Sequence, residues 1–517
     1  MATSVDEIKK IQSLEEENAS LRAQLTEVQQ QLDWFKRQLF GNKSEKRLQV
    51  DPAVQAQLFA KLDLAPPASE TPTEEIHYVR RKKQRDGNTV TDTGLRFDET
   101  VPVETIELIP DGAKDLPKGE TEIIDEKVSY RLAQRPGSYV VLKYVRPVIK
   151  SKNTDTLISA PMPQNVLEKS VADVSVLAGI LIDKFLYHLP LYRQHQRLLN
   201  SGITLSRTTI MNWVNRSIDL LAPIADAQMI NVLLSRVLAM DETPIKAGRK
   251  QKGKMRQAYI WPIYGELDEI VFRYTNTRAH QHVKDLLGVD FSGTIVSDGY
   301  KAYESFAKAS KNVTNAQCWS HARRYFEGAL EAEPVAAEEA LSIIALLYRH
   351  EKIIKQKRLE GEDKLAYRSK QTEPVVKSFW SWCEHQCQRH DLLPSDKLTK
   401  ALKYAMNRRT ELQVFLSDPD VPLDTNHVER ELRVIPMGRR NWLFAWTEIG
   451  AERIAAIQSL LVTCKLHNVD PYVYLTDVLQ RVSQHPANKV YELTPRLWKE
   501  KFADNPLRSD LDKIQCQ

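Results

Sequence analysis

Between residues 8 and 40 the apolar positions repeat every seven residues. Ile11, Asn18, Leu25, Leu32 and Leu39 form one series, and Leu14, Leu21, Val28 and Phe35 a second, three residues behind it. This a/d pattern predicts a coiled coil over residues 1–42. Asn18 takes an a position, where a buried amide costs stability and sets register. Glu17 at g can pair with Arg22 at the next e of a parallel partner. No further apolar residues widen the stripe, so it predicts self-association into a homodimer or higher oligomer.

Gly41 ends the helix, and residues 43–95 read as a linker holding Pro66, Pro67, Ser69 and Pro72, then a basic run of Arg80, Arg81, Lys82, Lys83 and Arg85. Over residues 96–163 the pattern becomes β-rich. Glu126–Leu132 and Ser138–Ile149 flank the turn signal Pro136-Gly137, which predicts a hairpin in a small β module. The module has no cysteine, which excludes a zinc finger there. Residues 164–230 are helical in pattern. A helix over Leu191–Asn200, a turn at Gly202 and an N-cap at Ser206 opening a second helix through Asn215 predict a helix-turn-helix. Arg207, Thr208, Thr209, Asn212 and Arg216 lie on or just after its second helix and suit phosphate or base contacts.

Residues 231–332 alternate strand and helix. Strands are expected at 236–240, 257–264, 269–274, 293–297 and 313–317, with a hairpin loop at 265–268 and a helix near 279–287. Three antiparallel-capable strands followed by helix-separated ones give the order of a ribonuclease-H-like core. A largely helical stretch at 333–418 reads as an insertion, 419–485 as the second part of the core, and 486–517 as a C-terminal tail. The expected fold class is therefore multidomain α/β with helical parts.

A length of 517 residues exceeds one typical domain, and 42% apolar residues suffice for real cores. The net charge of +5 says little, but the run at 80–85 and the cluster Arg433, Arg439 and Arg440 are local basic patches of the kind that meet a polyanion. The five cysteines are too few and scattered for a disulfide framework. With a polar N-terminus and no apolar run near membrane length, the expectation is a cytoplasmic protein with no membrane partner, nucleoid-associated when bound to DNA.

The chemistry centres on carboxylates. Asp241 follows the first strand of the core and Asp298 the fourth. In this strand order those two strands are neighbours, so the carboxylates converge. Converging carboxylates call for a cation, and hard oxygen ligands suit Mg²⁺ or Mn²⁺. Two such ions activate a water or 3′ hydroxyl and stabilise the leaving oxygen. The segment 424–433 reads as a helix start with Asp424 as its cap; it offers Glu429 or Glu431 as a third carboxylate, and periodicity does not choose between them. Downstream, Arg439 and Arg440 suit phosphate contact, while Trp442, Leu443, Phe444 and Trp446 read as core. Cys383 and Cys387 beside His385, and Cys318 with His321, have ligand-like spacing, yet zinc is not expected, since such cysteines are more often small core residues.

Taken together these segments resemble the transposases of the insertion sequence 66 family, the large catalytic subunit, in order and over nearly the whole chain. FKRQLFGNKSEK from Phe35 is similar to the segment after the family's leucine zipper, and the stretch His188–Trp213 to its helix-turn-helix region. MDETP at Met240–Pro244 and SDGYKAY at Ser297–Tyr303 resemble its two aspartate motifs, and CWSHARRYF at Cys318–Phe326 another. PLDTNHVERELR at Pro422–Arg433 is similar to its glutamate motif, a resemblance that selects Glu429 over Glu431. GRRNWLFAW from Gly438 and the tail 465–479 look similar as well. The resemblance implies a ribonuclease-H-like core, divalent metal, the triad Asp241, Asp298 and Glu429, and cut-and-join chemistry on DNA (transposon ends and target) as partner; it leaves open whether accessory proteins of the element are further partners. One departure stands out: many members carry a cysteine-rich zinc finger after the linker, and the β module here has no cysteine. Two other readings share these features. One is a ribonuclease-H-like nuclease that cuts without joining; the other is a DNA-binding regulator derived from a transposase, against which the intact triad argues.

Overall fold

A computed structural model describes residues 89–90, 95–110, 121–135, 137–151, 157–442 and 445–514. The heptad segment, the linker and the basic run with Arg81, Lys82 and Lys83 lie outside the described residues. The fold is mixed α/β, and its described strands form three sheets.

The first sheet is small: β1 (Thr89–Val90) and β2 (Arg96–Phe97) join a later strand from the helical region. The second is the β module. Here β3 (Val103–Glu107) runs parallel to β5 (Ser138–Ser151), while β4 (Thr121–Arg135) and β6 (Leu157–Ser159) pair with β5 antiparallel. The expected hairpin is formed by β4 and β5, which pair up to Arg135 and Ser138 around Gly137. Gly137 has φ +82°, a left-handed conformation that glycine adopts without steric cost.

Helix α1 (Val174–Phe185) is apolar all round and buried accordingly. Its N-cap Asp173 accepts from Ser175 N at 2.9 Å and from Ser509 Oγ at 2.7 Å. The C-terminal stretch therefore docks on the body: Trp498 and Leu511 are buried, and Tyr144 donates to Asp510 at 2.8 Å. Helix α2 (Leu191–Asn200), strand β7 (Ile203–Thr204, paired with β2) and helix α3 (Arg207–Leu233) make the expected pair of helices around Gly202. Ser206 Oγ accepts from Thr209 N at 3.0 Å, as an N-cap should. The second helix does not stop at Asn215. Its apolar stripe continues through Ile218, Leu221, Ile224 and Ala225, all buried, and carries the helix to Leu233.

The third sheet positions the site. It comprises β8 (Val237–Met240), β9 (Thr243–Gln251), β10 (Lys254–Tyr264), β11 (Ile270–Thr275), β12 (Gly293–Ser297) and β13 (Val313–Gln317). The order is β11-β10-β8-β12-β13, with β9 continuing along β10. The pairs of β10 with β8, β9 and β11 are antiparallel, and those of β12 with β8 and β13 parallel. Central strand β8 is buried on both faces: Val237 and Ala239 face one core, Leu238 and Met240 the other. The second core is closed by α4 (Gln281–Leu287) and α5 (Lys301–Ala309), through Val283, Leu287, Tyr303 and Phe306. Full burial of such side chains stabilises by about 1.5–3 kcal/mol each.

After β13 come α6 (Trp319–Glu327) and the helical insertion. The latter holds α7 (Pro334–Lys357), α8 (Gly361–Tyr367), a π-helical turn at Arg368–Thr372, α9 (Glu373–Cys387), α10 (Lys397–Met406) and α11 (Arg409–Gln413). Trp319, Phe379 and Trp380 stack edge-on and tilted where α6 meets α9. The chain returns through α12 (Asn426–Leu432), α13 (Val434–Trp442), α14 (Glu448–Leu466), α15 (Pro471–Arg481), α16 (Pro495–Lys501) and α17 (Asp510–Ile514). Helix α14 covers edge strand β11: Ser459 Oγ accepts from Phe272 N at 2.8 Å and Thr463 Oγ1 from Ile270 N at 3.3 Å. Those hydroxyls, one turn apart, satisfy an edge that would otherwise pair with another strand. No helix among the described residues is long and apolar enough to cross a membrane.

Candidate active site

Strands β8 and β12 are parallel, with Val296 opposite Ala239. Carried two residues on, that register sets Asp298 opposite Asp241. The alternation of faces likewise directs both toward the side where Ala239 and Val296 are buried. Each aspartate is fixed by the next turn of backbone: Asp241 Oδ1 accepts from Glu242 N at 2.7 Å, and Asp298 Oδ1 from Tyr300 N at 2.8 Å. Gly299 makes the second turn possible. Its φ is +88°, and a Cβ there would lie 2.6 Å from Arg408 Nε.

Oxygens of Asp241, Glu242 and Asp298 all lie within 4.8 Å of one another. Burial pushes Asp241 up to about 7, with the neighbouring carboxylates adding to the effect. Glu242 is raised as well, by burial first and Asp298 next. The donor set is all carboxylate oxygen, partly withdrawn from water and mutually repelling, which fits a hard divalent cation.

Glu242 was not among the residues expected at the site. Its side chain is nearly buried and fully partnered: Arg278 Nε donates to Oε1 at 2.8 Å and Tyr303 donates to Oε2 at 2.8 Å. Arg278 lies 3.9 Å over the Tyr300 ring. The signal was present in MDETP, where Glu242 adjoins Asp241; alternation sends it to the face of Leu238 and Met240, the face of Tyr303, to which it is bonded. At the end of β8 an oxygen of each still reaches the same cluster.

Glu429 lies outside that group of three. It pairs with Arg324, and its Oε1 is 3.5 Å from His321 Nε2. Packing separates it from Glu431: Val428, Glu431 and Leu432 turn inward, and Glu431, 3% exposed, accepts from Lys465 at 3.0 Å. Helix α12 is held against α6 by backbone contacts. Trp319 N donates to Leu423 O at 3.1 Å, and Thr425 N to Cys318 Sγ at 3.2 Å. Cys318 thus accepts a backbone hydrogen bond. The expected cap is displaced by one residue: Thr425 is the N-cap, and Asp424 accepts from Asn426 N at 3.1 Å. His321 and Arg324, considered from sequence only as a zinc ligand and not at all, respectively, both reach Glu429. Both contribute to the electrostatics of Asp241 or Asp298.

The residues expected to contact DNA fall in two described places. Arg207, Thr208, Asn212 and Arg216 are all exposed on α3. Arg207 lies 4.8 Å over the Tyr192 ring, and Arg216 donates to Glu168 O at 3.3 Å. Arg433 and Arg440 are exposed, while Arg439 is half-buried and donates to the carbonyl of Pro244. Trp442 packs on the core, but Trp446 does not: it is 62% exposed, with Arg249 5.1 Å over its ring. The core expectation for Trp446 is thereby corrected: Ala445 is the residue laid on β9, its N donating to Lys246 O at 2.9 Å, while Leu443 and Phe444 lie outside the described residues.

A family model described as "Transposase IS66 family" matches residues 169–453. The chain belongs to the IS66 family of transposases. Two further models match this IS66 member, "IS66 C-terminal element" at 459–496 and "Transposase C of IS166 homeodomain" at 27–106. Among curated proteins of Sinorhizobium fredii (strain NBRC 101917 / NGR234), "Uncharacterized protein y4hP" is 30% identical over 405 residues, 74% of this chain and 72% of that protein. "Uncharacterized protein y4jD" is 26% identical over 509 residues, 94% of this chain and 98% of that protein. Family membership assigns a transposase role, with DNA as partner and divalent metal use, and the acidic cluster is compatible with the latter.

Proposed function

We propose that this IS66 transposase cleaves the ends of its element and joins the 3′ hydroxyls to target DNA within a ribonuclease-H-like core, using Asp241, Asp298 and Glu429. The carrying observation is the register of β8 and β12, which sets the two aspartates opposite each other. The order β11-β10-β8-β12-β13, antiparallel on one side and parallel on the other, supports the core assignment. Asp241 and Asp298 would hold Mg²⁺ or Mn²⁺, two ions in the complete site, with Glu429 joining them. Bound metal supplies activation of the attacking oxygen and charge stabilisation at the leaving one. Arg324 neutralises Glu429 and puts positive charge beside it, where a backbone phosphate must sit, and His321 lies 3.5 Å from the same carboxylate. Glu242, held by Arg278 and Tyr303, adds negative charge at the cluster and anchors Arg278 over the turn that follows Asp298. The exposed face of α3, with Arg207, Thr208, Asn212 and Arg216, is suited to a DNA groove. Arg81, Lys82, Lys83, Arg433, Arg439 and Arg440 are proposed phosphate contacts; Arg439 would keep its Pro244 contact while doing so.

The test is a strand-cleavage and strand-transfer assay on the element's ends with and without Mg²⁺. Cleaved ends and joined products are expected only with metal. Cleavage without joining would leave a nuclease, and binding with neither would leave a regulator.

Assembly follows from the heptads. Deleting residues 1–42 is expected to halve, or reduce further, the particle mass measured by light scattering. An unchanged mass would show that the stripe packs within the chain.

A further inference from the structure

Helix α6 presents more than the His321 and Arg324 that reach Glu429. His321 and Tyr325, four residues apart, share a face of the helix, and Arg324 lies beside them. Tyr325 makes no contact with Glu429 or the aspartates that would account for it, and it is 45% exposed. Its ring stacks on Tyr404, with centroids 4.2 Å apart and planes inclined by 21°. Tyr404, from the helical insertion, is buried, and its hydroxyl donates to the backbone carbonyl of Asp298 at 2.7 Å. The guanidinium of Arg408 lies 4.1 Å from the centre of that same Tyr404 ring. Two groups this close to one ring cannot share a face, so Arg408 and Tyr325 sit on opposite sides of Tyr404. The result is a column, Arg408 then Tyr404 then Tyr325, that ends in the outer face of an exposed aromatic ring.

The column is fixed at its base. Arg408 donates to Gly299 O at 3.3 Å, and Tyr404 to Asp298 O. Both carbonyls belong to the turn that aims the Asp298 carboxylate. Its free end is therefore held in a set relation to the acidic cluster, next to Arg324. A single exposed tyrosine is ordinary. An aromatic pair backed by a cation, bonded to the turn of a carboxylate and open at the end nearest a phosphate-seeking arginine, is a surface built for a flat π system.

We propose that Tyr325 is a stacking platform for an unpaired nucleobase of the DNA strand held at the carboxylates. Stacking on aromatic rings tolerates any base, because every base has a π face, and it requires a base out of the duplex. An opened strand end at the partly buried carboxylate cluster supplies such a base, and Arg324, next in sequence to Tyr325, would take the adjoining phosphate. The Tyr404 contact also gives the insertion a role: it carries the middle of the column and ties it to Asp298. This inference rests on the reading that the cluster acts on DNA, so its test uses binding alone.

The probe is a forked DNA duplex with 2-aminopurine in its single-stranded arm, titrated in EDTA so that no strand is cut. Stacking quenches the fluorophore. The wild type is expected to quench it, and Tyr325→Phe to do so equally. Tyr325→Leu is expected to lose the quenching and to bind the fork roughly 5- to 100-fold more weakly, with affinity for fully paired duplex unchanged. Tyr325→Trp, which enlarges the platform, is expected to quench more strongly, and it serves if the leucine variant fails to fold. A folded Tyr325→Leu protein with wild-type quenching and fork affinity would overturn the proposal, as would a wild type that binds the fork without quenching. A metal-dependent cleavage assay that fails on the wild type sinks the cutting reading separately, since quenching needs no metal.

Discussion

Alanine at Asp241, Asp298 or Glu429 is expected to lower strand cleavage on the order of a thousandfold or more, with DNA affinity nearly unchanged. The carboxylates hold charge at the reacting phosphate and do not grip the DNA. Asparagine at Asp241 separates function from folding. Burial holds that carboxyl at about 7 in the metal-free protein, so a neutral amide relieves a charge that folding must desolvate. Asp241→Asn is expected to be inactive and yet to melt about 2–4 °C higher without metal. Millimolar Mg²⁺ or Mn²⁺ should raise the melting temperature of the wild type and leave that of Asp241→Asn unmoved, because a ligand stabilises only the state that binds it. Glu431→Ala is the control for the third carboxylate. It breaks the Lys465 pair and costs stability, but should keep cleavage. If a folded Glu431→Ala protein is dead and Glu429→Ala is active, the assignment of Glu429 fails.

Arg368→Ala is expected to cost about 3–5 kcal/mol, a large share of the stability of any domain. Arg368 is fully buried in the π-helical turn of the insertion. It binds Glu351 with two hydrogen bonds of 2.8 and 2.9 Å, and donates to the carbonyls of Phe415, Asp418 and Val421 at 2.6, 3.0 and 3.3 Å. Removing it leaves a half-buried carboxylate and several carbonyls without this donor. Methionine of similar volume should not rescue it, since packing is not what is lost. Lysine should rescue only in part, because an ammonium cannot reproduce the planar fork. The segment it clamps, 415–421, leads directly into α12 and is held from the other side by Arg236, which donates to Asp418 Oδ1 at 2.9 Å. Urea denaturation followed by hydrogen exchange over residues 334–421 measures the effect. An exchange pattern and midpoint equal to the wild type would show that the buried network does not stabilise this region. Loss of cleavage at temperatures where the rest of the chain stays folded is the expected functional consequence, through misplacement of Glu429.

The β4–β5 hairpin, the helix pair around Gly202 and the order of core strands were legible because each is local: period-two alternation, a Pro-Gly turn signal, an N-cap serine, and strand-terminal aspartates all act within a few residues. Parallel pairing of β8 with β12 could be anticipated from that order, and so could the meeting of Asp241 with Asp298. What depended on long-range packing was not legible. The choice between Glu429 and Glu431 could not come from periodicity, since both sit on one short helix; a buried face that takes Glu431 to Lys465 leaves Glu429 turned toward α6. Glu242 joins the cluster through its Arg278 and Tyr303 partners, which arrive from segments distant in sequence. Cys318 has the spacing of a ligand and the job of a backbone acceptor, decided by the arrival of Thr425 from 107 residues away. Trp446 stays at the surface beside Ala445, which is the residue bonded to β9. Period and turn chemistry wrote the elements and their order into the chain itself, whereas the partners of each charged side chain were settled only when distant segments closed on one another, since a carboxylate's role follows from which cation or backbone donor reaches it.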